Sequence, residues 1–172
     1  MEKEREHSRF IIQRFDVYIS GANTKGNFLL AFNTFLCGGI IANYKKVLDS
    51  VADHTGVCLM NIALLALFVL SLIAIFFVMK AVYPFLSSGN SSKAKYHSLI
   101  FFKSVAEYGT DAEYAKSLQD QSDAAATEDL ARQAYQLAVG LRGKYRNLAI
   151  SMRLTYVELI LLFIILVILV IF

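Results

Sequence analysis

Long apolar runs alternate with polar stretches along the chain, and this pattern predicts three membrane-spanning helices. The candidate spans are residues 27–44, 57–80 and 153–172. Runs of about 20 apolar residues match a hydrocarbon core of about 30 Å, because a helix rises about 1.5 Å per residue. We therefore predict an all-α integral membrane protein with three transmembrane helices, an N-terminal amphipathic helix and a small, mainly helical cytoplasmic segment.

The polar segment at residues 1–26 has apolar positions spaced to form one helical stripe, which indicates an amphipathic helix. The stripe consists of Ile11, Phe15, Tyr18, Ile19 and Ala22. Glycine and polar residues from 21 to 26 then interrupt the pattern. We expect a break there, followed by the first span and by a short external loop at residues 45–56.

The region at residues 81–152 is more polar and separates the second span from the third. His97–Val105 is short and apolar, which allows a strand or a buried turn. Asp111–Gln119 is typical of a short helix capped by Thr110, and Thr127 is expected to cap a longer helix that continues into the third span. That helix carries a heptad-like seam for packing against another helix: Leu130, Ala134, Leu137, Leu141, Tyr145 and Leu148.

Basic residues predict the orientation of the chain. Many basic residues lie before the first span and between the second and third spans. The loop between the first two spans has only Lys45 and Lys46 as basic residues. The positive-inside rule then places the N-terminus and residues 81–152 in the cytoplasm, and the short loop and the C-terminus outside. A multi-pass protein of the cell membrane is expected.

Composition excludes several functions. The net charge of +3 is too small to indicate binding of a nucleic acid polymer. Cys37 and Cys58 have no histidine or cysteine neighbours at metal-ligand spacing. No glycine-rich phosphate loop, nucleophile elbow or catalytic triad pattern is visible. We therefore predict no enzymatic activity, no catalytic residues, no metal and no cofactor.

Several short motifs occur in a characteristic order: Arg14–Tyr18, Asn23–Phe28, Ala31–Phe35, Tyr83-Pro84, Ser98–Phe102, Val105-Ala106, Asp129–Gln133 and Lys144-Tyr145. Together they resemble the Pycsar transmembrane effector family of bacterial anti-phage defence, over about residues 8–160. The resemblance implies an effector that senses cyclic CMP or cyclic UMP, made by a pyrimidine nucleotide cyclase on infection. It also implies disruption of the bacterial inner membrane, so that the infected cell stops growing before phage are released.

The chain contains no separate cyclic-nucleotide-binding domain, so a ligand must use the cytoplasmic segment or an oligomer interface. Three spans do not easily enclose a channel, and a homo-oligomer in contact with membrane lipid is therefore expected. The alternative function is a structural or adaptor membrane protein that scaffolds a larger complex. The helical seam and the glycine-containing first span would serve that role equally well.

A cyclic phosphate requires cationic donors, and guanidinium groups match phosphate oxygens best. We select Arg142 or Arg146 with Lys103 for the phosphate, and Tyr96 and Ser98 for a stacking ring and a hydroxyl. Arg142 and Arg146 belong to a basic cluster before the third span, together with Lys144 and Arg153. The alternative function of this cluster is cytoplasmic retention and attraction to anionic headgroups.

Polar residues inside the apolar runs are the candidates for a membrane polar face or pore: Asn33, Thr34, Asn61 and Glu158. The alternative for Asn33 is a helix-to-helix hydrogen bond with Asn61 as the candidate partner, and Gly38 and Gly39 would allow the helices to approach closely. Glu158 lies about one turn into the third span, near Arg153. It is expected to be an interfacial anchor, to form an ion pair with a basic residue, or to have a gating or pore-mouth role.

Overall fold

The structure, a computed structural model, describes residues 2–84 and 97–171, and every regular element in these ranges is an α-helix. The helices are α1 (Glu2–Asp49), α2 (His54–Val82), α3 (Phe102–Val105), α4 (Asp111–Gln119) and α5 (Asp123–Ile171). Helices α1, α2 and α5 are long and apolar enough to cross a membrane. The prediction of an all-α membrane protein with three transmembrane helices is confirmed.

Helix α1 continues through residues 21–26, so the predicted break there is wrong. A glycine inside a helix costs only about 1 kcal/mol relative to alanine, which a helix of 48 residues tolerates when its side chains pack. Packing does occur, because Ala22 and Gly26 are both buried. The helix also extends past the expected start of the external loop and ends at Asp49.

Local hydrogen bonds define the other helix ends. Asp53 caps α2, since its Oδ2 accepts from the backbone N–H groups of Thr55 at 2.9 Å and Gly56 at 3.2 Å. The predicted cap of α4 is confirmed: Thr110 Oγ1 accepts from the N–H of Glu113 at 3.2 Å. Among the alternatives for residues 97–105, the structure has a turn followed by the single turn of α3.

Helix α5 is one element of 49 residues, so the predicted continuation into the third span is confirmed. Thr127 does not cap it, contrary to the prediction. The helix begins one turn earlier, and the Thr127 hydroxyl donates back to the Asp123 carbonyl at 2.8 Å. Ser122 precedes the helix, and its hydroxyl oxygen accepts from the N–H of Ala125 at 3.2 Å.

The chain divides into two compact units. We call Ala22–Tyr83 with Lys144–Phe172 the membrane unit, because it contains the three apolar runs. We call Met1–Gly21 with Pro84–Gly143 the polar unit.

In the membrane unit, α1 and α5 run parallel and α2 runs antiparallel to both. A Cβ at Gly26 would lie 2.7 Å from a methyl group of Val82 and 3.9 Å from Leu148, so these positions meet at one end. Val51 and Met60 meet Ile168 in an apolar core at the other end. The close approach occurs at Gly26 and not at Gly38 or Gly39, which have open space around them.

Candidate functional site

The polar unit contains an open cavity of about 370 Å³. It is lined by His97, Leu99, Tyr108, Ser117, Gln121, Ala125, Glu128, Asp129 and Arg132. The turn at residues 97–101, helix α4 and the first turns of α5 therefore all contribute to its wall.

Asp129 fixes the turn that forms part of this wall. Its Oδ1 accepts the hydroxyl of Ser98 at 2.7 Å, and its Oδ2 accepts the N–H of Leu99 at 2.8 Å. The Ser98 oxygen in turn accepts the N–H of Phe101 at 3.1 Å. Asp129 is 3% exposed and Ser98 is fully buried, so these charge-assisted hydrogen bonds form away from water. These hydrogen bonds therefore stabilise the turn that forms this part of the cavity wall.

Aromatic rings form one side of the cavity. The rings of His97 and Tyr108 meet edge to face with centroids 5.1 Å apart, and Tyr108 contacts Tyr114 at 5.4 Å. The Tyr114 hydroxyl donates to the carbonyl of Leu99 at 2.8 Å, which ties α4 to the same turn. The arrangement offers flat apolar faces beside polar groups, as a heterocyclic base requires.

The cationic group of the cavity is Arg132. Its guanidinium donates to the carboxylate of Glu128, with Nε 3.0 Å from Oε1. Both side chains are at least half exposed, so this ion pair contributes less than about 1 kcal/mol. Phosphate oxygens can replace the carboxylate at low cost, and a guanidinium binds them with two parallel hydrogen bonds.

The structure places the predicted nucleotide-binding residues differently. Ser98 is buried, and its hydroxyl is already used as donor and acceptor within the turn, so it is not free to contact a ligand. Lys103, Arg142 and Arg146 are exposed and do not line the cavity. Tyr96 lies outside the described residues.

A second group of polar side chains lies inside the membrane unit, where its helices meet. Asn33 donates to the hydroxyl of Thr155 at 3.4 Å, which joins α1 to α5. Ser71 of α2 lies close to both the Cys37 thiol and the Glu158 carboxyl, but outside hydrogen-bonding geometry. We call these five residues the membrane polar cluster.

Several atoms of this cluster have no hydrogen-bond partner in the described part of the chain: Asn33 Oδ1, Ser71 Oγ and both carboxyl oxygens of Glu158. All three residues are 0% exposed. An unpaired polar group inside hydrocarbon costs several kcal/mol, so such groups persist there mainly where they have a function.

The anchor interpretation of Glu158 is wrong, because an interfacial anchor must reach water or headgroups. The carboxyl is fully buried, while Arg153 is exposed and lies five positions earlier on the helix, on a different face. Glu158 is also distant from the apolar core around Ile168. The two residues are ten positions apart, which is about 15 Å along α5. The gating interpretation remains a prediction.

The other predicted membrane residues are apart from this cluster. Thr34 is exposed on α1. Asn61 is also exposed and accepts a hydrogen bond from the Tyr44 hydroxyl, so it is not the partner of Asn33. The structure therefore brings Asn33 and Glu158 to one interior and leaves the other two residues on the surface of the membrane unit.

A buried lysine binds the C-terminus of α2, a role that the sequence pattern did not predict. Lys144 Nζ donates to the carbonyls of Ala81 at 2.7 Å, Val82 at 3.3 Å and Tyr83 at 3.1 Å, and to Asn23 Oδ1 at 3.1 Å. Burial lowers the pKa of Lys144 from its ordinary value. The free carbonyls and negative dipole end of a helix suit a cation, so Lys144 joins α1, α2 and α5.

Among residues 2–84 and 97–171, no three histidine, cysteine, aspartate or glutamate side chains are grouped as metal ligands. The fold and the two sites define a class: a helical membrane protein with three candidate spans, a buried membrane polar cluster and a separate polar unit that holds an open cavity.

The chain belongs to the family described as the Pycsar effector protein domain, PycTM, whose model matches residues 7–171. The resemblance predicted from the motifs is thereby confirmed. Membership implies that the protein is a Pycsar anti-phage effector, and the family is not a known enzyme family. No curated protein and no solved structure gives a significant match to the chain.

Proposed function

We propose that this effector senses cyclic CMP or cyclic UMP and disrupts the bacterial inner membrane, which arrests or kills the infected cell. The observation that carries the proposal is the open cavity of about 370 Å³ in the polar unit. Its size falls within the range of small-molecule sites, about 300–1,000 Å³, and its wall combines flat rings with a few polar groups.

The base and the cyclic phosphate of a cyclic pyrimidine nucleotide each have a complementary group in this wall. The pyrimidine stacks beside His97 and Tyr108, whose rings already contact each other. Gln121 provides both a donor and an acceptor for the edge of the base. The cyclic phosphate, with one negative charge, replaces Glu128 as the partner of Arg132.

The proposed orientation places the N-terminus and residues 81–152 in the cytoplasm, where a nucleotide made by a cyclase is available. The abundance of basic residues in these segments supports it. The antiparallel direction of α2 relative to α1 and α5 is compatible with it, because consecutive spans must alternate in direction. The loop between α1 and α2 and the C-terminus then face outward.

Disruption of the membrane requires several chains, because three helices enclose no water-filled passage. We therefore include a homo-oligomer in the proposal. The nucleotide drives the change only through higher affinity for the assembled or open state than for the closed one. The membrane polar cluster supports the proposed membrane disruption, because its unpaired polar atoms gain hydrogen-bond partners when water enters the membrane unit.

Binding is tested by calorimetric titration of the full-length protein in lipid nanodiscs with cyclic CMP and cyclic UMP, and with cyclic AMP as a comparison. Arg132→Ala should weaken binding about tenfold or more, since a charged hydrogen bond contributes about 1.5–3 kcal/mol. Arg142→Ala, an exposed arginine outside the cavity, is the matched control. If Arg142→Ala weakened binding and Arg132→Ala did not, the binding site would instead lie at the basic cluster before the third span.

Membrane disruption is tested with liposomes that carry the full-length protein and an encapsulated dye. Leakage should follow addition of the nucleotide that binds, and Arg132→Ala should shift the required nucleotide concentration upward. No nucleotide-dependent leakage or change in oligomer size would refute the proposal. Constitutive association with an unrelated partner and no toxicity would favour a scaffolding role instead.

A further inference from the structure

Among the basic side chains that the structure describes, none forms an ion pair with the buried carboxyl of Glu158. The basic side chain closest to it in sequence, Arg153, is exposed. Lys144 lies fourteen residues, about 21 Å, away along α5 and is bound to backbone carbonyls. The titratable group that faces Glu158 from α1 is the Cys37 thiol, and α2 presents the hydroxyl of Ser71.

An ionised carboxylate in these surroundings would be strongly destabilising. It is 0% exposed, and neither oxygen has a hydrogen-bond donor among the described residues. Transfer of an isolated charge into such an environment costs so much that the group takes up a proton instead. As a neutral acid, Glu158 can donate a hydrogen bond. The buried Oδ1 of Asn33, in the same membrane polar cluster, accepts none from the described residues.

The same carboxyl becomes charged once water reaches it. Glu158 lies where α1, α2 and α5 meet, so a rearrangement that separates these helices exposes its carboxyl to water. A carboxylate at a constriction attracts cations and repels anions, as acidic rings do in cation channels. In a homo-oligomer each chain contributes one such carboxylate, which strengthens the attraction of cations.

We propose that Glu158 is the selectivity-determining residue of this effector, neutral in the closed membrane unit and ionised in the open one, where it makes the breach selective for cations over anions. The selectivity half rests on the function proposed above, whereas the neutral carboxyl of the closed state does not.

The closed state is tested by infrared difference spectroscopy of the full-length protein in nanodiscs without nucleotide. Wild type minus Glu158→Gln should contain the carbonyl stretch of a protonated carboxylic acid at neutral pH. Wild type minus Glu107→Gln, an exposed acid of the polar unit, should lack it. A carboxylate band in place of the acid band would overturn the inference, whether or not the protein permeabilises membranes.

The open state is tested in planar bilayers under a potassium chloride gradient. The wild-type reversal potential should indicate preference for potassium over chloride, and lowering the pH until the carboxyl is protonated should abolish that preference. Glu158→Gln should remove the preference and Glu158→Asp should retain it. Nucleotide-dependent current without ion preference in the wild type would refute the selectivity while leaving the proposed function intact.

Absence of any nucleotide-dependent current would refute the proposed function and the selectivity together. The infrared experiment would then still decide the protonation of Glu158 in the closed protein, so the two failures are distinguishable.

Discussion

Helix α5 buries one carboxylate in each unit, and the two differ in what surrounds them. Asp129 in the polar unit accepts a hydroxyl and a backbone N–H at 2.7 and 2.8 Å. Glu158 in the membrane unit has no hydrogen-bond partner for either oxygen among the described residues. A paired buried acid fixes a local structure, whereas an unpaired one is a cost that a functional change of state can relieve.

The largest effect expected from this comparison is the loss of the Asp129 hydrogen bonds. Asp129→Ala leaves the buried hydroxyl of Ser98 and the N–H of Leu99 unpaired, and each charged hydrogen bond contributes about 1.5–3 kcal/mol. We expect about 3 kcal/mol of destabilisation and loss of hydrogen-exchange protection at residues 97–101. Thermal unfolding and hydrogen exchange measure the two effects.

The control for this variant is Asp120→Ala, which removes an exposed acid of the same unit. It should change stability by less than about 0.5 kcal/mol, the usual range for surface substitutions. Equal effects at the two positions would mean that Asp129 does not hold the turn.

Lys144 sharpens the comparison, because it is a buried charge of the membrane unit that does have partners. Lys144→Met keeps the aliphatic stem but leaves the carbonyls of Ala81, Val82 and Tyr83 without this donor. A buried acceptor that loses its partner costs about 1–3 kcal/mol, so we expect about 2 kcal/mol of destabilisation in detergent. Thermal unfolding monitored by circular dichroism provides the measurement.

Lys45→Met provides the matched control, since Lys45 is an exposed lysine of the same unit. Only a small effect is expected there. If Lys144→Met unfolded no more easily than Lys45→Met, the contacts at the end of α2 would not stabilise the membrane unit.

The helices themselves could be predicted from the sequence for a physical reason. A segment inside a bilayer must satisfy its backbone hydrogen bonds internally, so length and apolar content are nearly sufficient to identify a helix. Local caps such as Thr110 were also predictable, because a cap depends only on residues three positions apart. The absence of a break at residues 21–26 was not, since burial of Gly26 depends on α2 and α5.

The functional face of α5 could not be predicted by counting apolar residues. Of the predicted seam, Ala134 and Leu148 are buried, but Tyr145 is exposed. The buried residues of α5 also include polar and charged ones: Asp129, Lys144, Ser151 and Glu158. Lipid is as apolar as a protein core, so apolar periodicity stops marking the interior of a membrane helix. The usable signal was the spacing of polar residues: Lys144, Ser151 and Glu158 recur every seven positions, about two turns.

A substitution at Gly26 tests how tightly α1 packs against α2 and α5 at that end of the membrane unit. A Cβ added there would lie 2.7 Å from a methyl group of Val82, closer than packed atoms approach. Valine has a stiff side chain, so Gly26→Ala should cost about 1–2 kcal/mol by overpacking. Thermal unfolding of the variant in detergent measures this cost.

Gly38→Ala, on the same helix, meets open space and is the control. It should be neutral or slightly stabilising, because alanine favours a helix over glycine by up to about 1 kcal/mol. Equal destabilisation by both variants would mean that the helices do not approach most closely at Gly26.

The smallest effect is expected at Glu158 itself, and it decides the comparison with Asp129. Glu158→Gln replaces a neutral acid with a neutral amide of nearly the same shape, so the free energy of unfolding in detergent should change by less than about 1 kcal/mol. Denaturant titration of Glu158→Gln and of Asp129→Ala under the same conditions allows their losses of unfolding free energy to be compared directly. A loss as large as that of Asp129→Ala would mean that Glu158 is a paired structural acid, and that its unpaired oxygens do not describe the closed protein.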